Sequence, residues 1–123
     1  MSRPRAASAG PPSVLPLSPY LPPQGPVRVL FHDRALLVVD KPAGLLTVPG
    51  KSEGGADCLI ARLARHDPHV RLIHRLDRDT SGVTIFARTA QAQRHLGRQF
   101  ERRAVAKGYV ALVLGRPAQA GRI

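Results

Sequence analysis

Eight of the twelve prolines fall within the first 26 residues, at positions 4, 11, 12, 16, 19, 22, 23 and 26, and this clustering divides the chain into two unlike parts. Proline locks φ and removes a backbone donor, so a segment this dense enters neither a helix interior nor a central strand. The same stretch contains no acidic residue and no apolar run longer than two. It reads as a disordered or extended leader over residues 1–26. A secretory signal needs an apolar stretch of ~7–15 residues, which is absent here, and the prolines oppose the amphipathic helix of an organelle transit peptide. What remains to fold is residues 27–123. A chain of that length buries roughly two thirds of its unfolded surface, enough for one small core.

The charge belongs to the foldable part. Of the formal +11, only Arg3 and Arg5 lie in the leader, so +9 sits on residues 27–123. Such an excess attracts polyanions and releases their counterions on contact, which makes nucleic acid the leading partner and anionic membrane the second. Arginine outnumbers lysine 16 to 3. Its planar fork suits phosphate and its face stacks on bases, although a GC-rich coding sequence gives the same preference. The net excess has no such origin, because acids were free to balance it. No run approaches the ~20 apolar residues that cross a bilayer. One cysteine, Cys58, supports neither an internal disulfide nor a multi-cysteine metal site, and a reducing, cytoplasmic setting is expected.

Hydrophobic patterning predicts an α+β fold. Residues 27–40 give two short apolar segments around His32, Asp33 and Arg34, read as antiparallel strands joined by a tight turn. The second segment, 36–39, is apolar on both faces, as in a strand covered on both sides. Lys41-Pro42-Ala43-Gly44 then reverses the chain. Asp57 is placed to cap a helix with an inward stripe of Leu59, Ile60, Leu63 and Ala64, limited by Pro68. A strand over 83–87 follows the turn-prone Asp79-Thr80-Ser81-Gly82. Residues 91–103 predict a second helix with Leu96 and Phe100 toward the core and Arg94, Arg98 and Arg102 on another face, a basic ridge suited to phosphate contact or to plain solvation. A last strand over 109–114 completes the order ββαβαβ.

Several tempting motifs carry little. Gly44 to Ser52 reads G-L-L-T-V-P-G-K-S, but five residues separate the glycines where a phosphate loop has four, and Pro49 removes an N–H from the cradle. His66, His69 and His74 are split by Pro68 and lack thiol partners, so no metal site is expected. Cys58 reads as a small buried residue rather than a nucleophile.

The dense element is His74-Arg75-Leu76-Asp77-Arg78-Asp79-Thr80-Ser81-Gly82. If extended, it puts Arg75, Asp77 and Asp79 on one side and Leu76 on the other. Gly82 admits close approach of a backbone or ligand. Spacing alone favours a charge-paired surface turn over a catalytic site without deciding between them.

Taken with its continuation, H-R-L-D-R-D-T-S-G-V-T-I-F-A-R resembles the catalytic signature of the RluA family of pseudouridine synthases. Residues 37–45, L-V-V-D-K-P-A-G-L, resemble that family's first motif, and residues 107–113, K-G-Y-V-A-L-V, its tyrosine-bearing strand. Residues 22–24 and 46–51 look closest to the subgroup acting on both tRNA and large-subunit rRNA. The resemblance covers about residues 20–118.

It implies a mixed, mainly antiparallel central sheet with flanking helices, an RNA cleft, and conversion of selected uridines to pseudouridine without cofactor or metal. Asp77 matches the essential aspartate, acting at the ribose of a flipped-out uridine. Arg75 matches the arginine that fills the gap left by that base, and Tyr109 the tyrosine that stacks on the uracil. His74 and Arg78 flank the aspartate as candidate RNA contacts. The family's catalytic domain normally continues for about as many residues again, to a third motif whose Arg or Lys pairs with the aspartate. The expectation is therefore that residues 27–123 form the front part of a truncated domain, inactive and poorly soluble alone. A non-catalytic RNA-binding module and an inactive remnant are the competing readings.

Overall fold

A computed structural model describes residues 19–112. Its element order is β1 (Arg28–His32), β2 (Leu36–Lys41), α1 (Leu59–Ala64), β3 (Arg71–Leu72), β4 (Gly82–Ala87) and α2 (Ala90–Glu101). The four strands form one sheet in the order β1-β2-β4-β3, and every neighbouring pair is antiparallel. The α+β class read from the sequence is the class observed. No helix among the described residues is long and apolar enough to cross a membrane.

The first hairpin forms because Asp33 makes its own turn: Oδ1 accepts from the N–H groups of Ala35 and Leu36, both at 2.8 Å. A bulge falls between Val29 and Phe31. In β2 the side chains alternate, with Leu37, Val39 and Lys41 buried and Leu36, Val38 and Asp40 half-buried. β2 is thus closed on one face and only partly covered on the other, unlike the strand covered on both sides that its apolar run predicts. The closed face packs Leu37, Val39 and Phe86 against Leu45 and the α1 residues Leu59 and Leu63. On the other face, Phe31 aligns with Val38 and Val83 with Asp40, and these two remain 52% and 57% exposed.

Asp57 does not cap α1. Cys58 holds the N-cap position without a side-chain bond, and the N–H groups of Leu59 and Ile60 donate to the carbonyls of Leu46 (2.7 Å) and Thr47 (3.1 Å). The loop after β2 supplies the acceptors a capping side chain would have given. Asp57 instead pairs bidentately with Arg62, at 2.8 and 2.9 Å. Ala64, expected in the inward stripe, is exposed.

The predicted strand 83–87 appears as Gly82–Ala87, paired on its outer side by the two-residue β3, which the sequence did not announce. The second helix begins one residue early and ends two residues early. Thr89 caps it, Oγ1 accepting from Ala92 N–H at 3.0 Å, and Arg103 leaves it with a φ of 55°. Leu96 and Phe100 are half-buried, and no α2 residue reaches full burial. Residues 109–112 form no strand and are exposed, having no strand beside them among the described residues. Positions 113 and 114 of that predicted strand lie outside the described residues, as do residues 1–18 of the leader. Tyr20, assigned to the leader by proline content, is tied to the domain: its hydroxyl donates to the Asp57 carbonyl (2.8 Å) and accepts from Leu46 N–H (3.0 Å).

Candidate active site

The segment from Ile73 to Ser81 links β3 to β4 and carries most of the predicted site. Its backbone is fastened at several points. Leu76 is buried, and the Thr47 hydroxyl both donates to its carbonyl (2.8 Å) and accepts from its N–H (3.2 Å). Thr80 N–H donates to the Asp77 carbonyl at 3.0 Å, closing a tight turn. The Arg78 carbonyl accepts from Gly44 N–H (2.8 Å) and from Lys41 Nζ (2.9 Å). Gly82 has a φ of +137° and open space where a Cβ would stand, so backbone conformation, rather than close approach, is what calls for glycine there.

Leu76 is buried and Arg75, Asp77 and Asp79 are all exposed, but residues 77–80 turn rather than extend, so the shared side expected of an extended segment holds only for Arg75 and Asp77 around Leu76. Asp79 is bound to Arg78 through two bonds of 3.0 and 3.1 Å, and that guanidinium holds its carboxyl below the usual carboxylate range. Among the described residues no ion pair engages Asp77. The result is a fixed backbone presenting an unpaired carboxylate, with Arg75 two residues before it.

Lys41, absent from the sequence-based site, lies beneath this turn. It is completely buried, and its ammonium donates to the carbonyls of Pro42 (3.1 Å), Leu45 (2.6 Å) and Arg78. Burial pushes its pKa down, and the charges of Asp79 and Asp77 oppose that shift. Its signal was legible in principle: a lysine in phase with Leu37 and Val39 on the buried side of a strand needs a compensating cage.

His74 is half-buried rather than free. Its Nε2 accepts from the N–H of Ile85 at 3.0 Å, and its ring stacks on Phe100 of α2 with centroids 4.5 Å apart. Burial lowers its pKa, with Lys107 adding a repulsive charge. The ridge residues Arg94, Arg98 and Arg102 are exposed. Arg94 and Arg98 line a shallow recess with Ala35 and Thr89, at the end of β2 opposite Lys41. A six-residue strand spans roughly 20 Å, so these two arginines stand far from Asp77 while the end of α2 returns to His74. Tyr109 is 63% exposed, and no hydrogen bond joins it to the Asp77 turn. A recess of about 580 Å³ lies elsewhere, between residues 24–29, Leu37 and α1. Asp77 lines neither recess. No cluster of metal-ligating side chains occurs among the described residues.

The family model described as RNA pseudouridylate synthase matches residues 35–123, a span that includes β2, the Asp77 turn, β4 and α2. The chain belongs to that family. It is 46% identical over 102 residues to the dual-specificity RNA pseudouridine synthase RluA of Escherichia coli K12 and equally so to that of Salmonella typhimurium, covering 82% of this chain and 47% of each relative. The corresponding Vibrio vulnificus protein is 41% identical over 97 residues, 78% of this chain and 39% of its own. The chain thus spans about half the length of the curated relatives it matches. The solved human RNA pseudouridylate synthase domain containing 4 aligns over 63% of this chain and 30% of its own, with 25% identity and a TM-score of 0.48.

Proposed function

We propose that this chain carries the aspartate end of a site that isomerises uridine to pseudouridine in RNA, with rRNA or tRNA as substrate and the cytoplasm as its setting. The observation that supports this most is Asp77: an exposed carboxylate without an ion-pair partner among the described residues, on a turn whose backbone is held by Thr47, Lys41 and Gly44. Isomerisation breaks the bond between N1 and C1′, turns the uracil, forms a bond between C5 and C1′, and moves the C5 proton to solvent while N1 gains one. Atoms balance without redox change, and the reading needs neither cofactor nor metal.

Asp77 acts at the ribose, either by removing the C2′ proton or by attacking C1′. Both roles need the uridine out of its stack, which costs a few kcal/mol. Arg75, exposed beside Asp77, offsets part of that by filling the vacated space with its planar guanidinium. Tyr109 stacks on the displaced uracil when RNA draws residues 107–112 toward the turn. Arg78 and the ridge of Arg94, Arg98 and Arg102 contact the backbone, and the net charge draws RNA in.

Tritium release from tRNA carrying 5-labelled uridine tests the reading, comparing the chain completed by the C-terminal half of a curated relative with the Asp77→Asn variant of the same completed chain. Release that depends on Asp77 supports it. A second reading, a non-catalytic RNA-binding module, is favoured by the exposure of Tyr109 away from any bond to the turn. Salt-dependent tRNA binding without release, unchanged in Asp77→Asn, selects that module instead.

A further inference from the structure

The imidazole of His74 occupies the place of a missing strand rung. β3 ends at Leu72, which aligns with Phe86, and the next outward donor on β4 is the N–H of Ile85. No backbone carbonyl of the departing chain takes it; His74 Nε2 does, at 3.0 Å. An imidazole nitrogen accepts only when it carries no proton, so the ring is neutral with its hydrogen on Nδ1. One ring face lies on Phe100, 4.5 Å away at 20°, and the ammonium of Lys107 stands 6.0 Å from the centre of that same Phe100 ring.

This stack joins three parts of the chain. His74 begins the stretch that carries Arg75 and Asp77, Phe100 closes the helix bearing the arginine ridge, and Lys107 leads into the segment of Tyr109. Two residues after His74, Leu76 is fastened to Thr47. Arg75 is therefore held between two anchors, and Asp77 follows the second directly.

We propose that neutral His74 is a positioning residue for the Arg75–Asp77 stretch, pinning it to β4 and α2, and that protonation of the ring withdraws the pin. The imidazolium has no lone pair for Ile85 N–H and would face that donor with a second one. The groups facing the ring are the Ile85 backbone from β4, a strand without titratable side chains, Phe100 from α2, and Lys107 beyond it. Lys107 and burial both oppose protonation, so the midpoint lies below the ordinary 6.5. The inference rests on the proposed function only in naming Asp77 as the reacting group; the pin itself does not.

Nitrogen-15 NMR of the full chain, without RNA, from about pH 8 to about pH 5 tests it across the histidine range. At the upper pH, His74 should show the Nδ1–H tautomer, and the amides of Ile85, Arg75 and Asp77 should shift with the midpoint of His74. His74→Gln keeps an acceptor without a titrating group and should flatten those shifts. His74→Phe keeps the ring contact but orphans the Ile85 N–H, whose hydrogen exchange should quicken roughly tenfold at the upper pH. An Nε2–H tautomer in the unmodified chain, or turn amides that titrate unchanged in His74→Gln, overturns the proposal. Neither result bears on whether uridine is isomerised, which tritium release reads separately.

Discussion

Lys41 Nζ and the carbonyl oxygen of Arg78 are joined at 2.9 Å across 37 residues of sequence. The same ammonium reaches the carbonyls of Pro42 and Leu45, so all three of its donors are used on backbone. One buried cation thereby ties the turn after β2 to the turn that displays Asp77. Gly44, whose φ of +90° lets the first turn fold back, adds a parallel bond to the Arg78 carbonyl.

Replacing Lys41 with Met keeps an unbranched side chain one atom shorter and removes the donors. The carbonyl of Leu45 then loses a bond of 2.6 Å, while that of Arg78 keeps Gly44. Losing charged hydrogen bonds costs about 1.5–3 kcal/mol each, offset in part because no ammonium is buried any longer. The expected net loss is about 2 kcal/mol, read as a lower urea midpoint with an unchanged slope. A midpoint equal to that of the unaltered chain contradicts the clamp.

Thr47→Val is nearly isosteric and deletes both bonds to Leu76. The buried N–H and carbonyl of Leu76 are left without these partners, at about 1–3 kcal/mol. Amide exchange at Leu76 and Asp77 should quicken, and Thr47→Ser, which retains the hydroxyl, should restore most of the protection. Equal protection in the valine variant shows that the turn does not depend on this residue.

Much of this arrangement was readable from residue order because its causes are local. Asp33 turns the first hairpin with its own side chain, inside the turn-forming cluster of His32, Asp33 and Arg34. Arg75 and Asp77 flank buried Leu76 on the exposed side, as the sequence order suggests. What stayed hidden depends on partners distant in sequence: Asp57 gave up capping because loop carbonyls reached α1 first, and Thr47 acquired a role only through Leu76, 29 residues away. Residues 109–112 mark the other limit, since strand propensity forms a strand only where a partner strand is within reach.

Acid should destabilise the chain through Asp57. Its bonds to Arg62 hold the carboxyl below its ordinary value of 3.8, so the folded state binds fewer protons than the unfolded one in that region. The stabilisation is fully present above 3.8 and is lost as pH falls through the lowered folded value. Asp57→Asn should be less stable than the unaltered chain near neutrality, with the two curves converging in acid. Circular dichroism at a series of pH values measures both, and a constant gap down to the lowest pH removes Asp57 from the account.

The arginine ridge should show itself in salt dependence. Arg94 and Arg98 are exposed near one end of the sheet, and Arg102 follows α2 toward His74, each about 6 Å further along the helix axis. Each lost phosphate contact lowers the slope of log affinity against log salt by about 0.7–0.9. Replacing all three with Ala should reduce that slope by about two for tRNA in a filter-binding titration and weaken binding most at low salt. The Asp77→Asn variant, which removes a negative charge from the turn and no phosphate contact, should keep the original slope. A triple variant with the slope of the unaltered chain assigns the ridge to solvent.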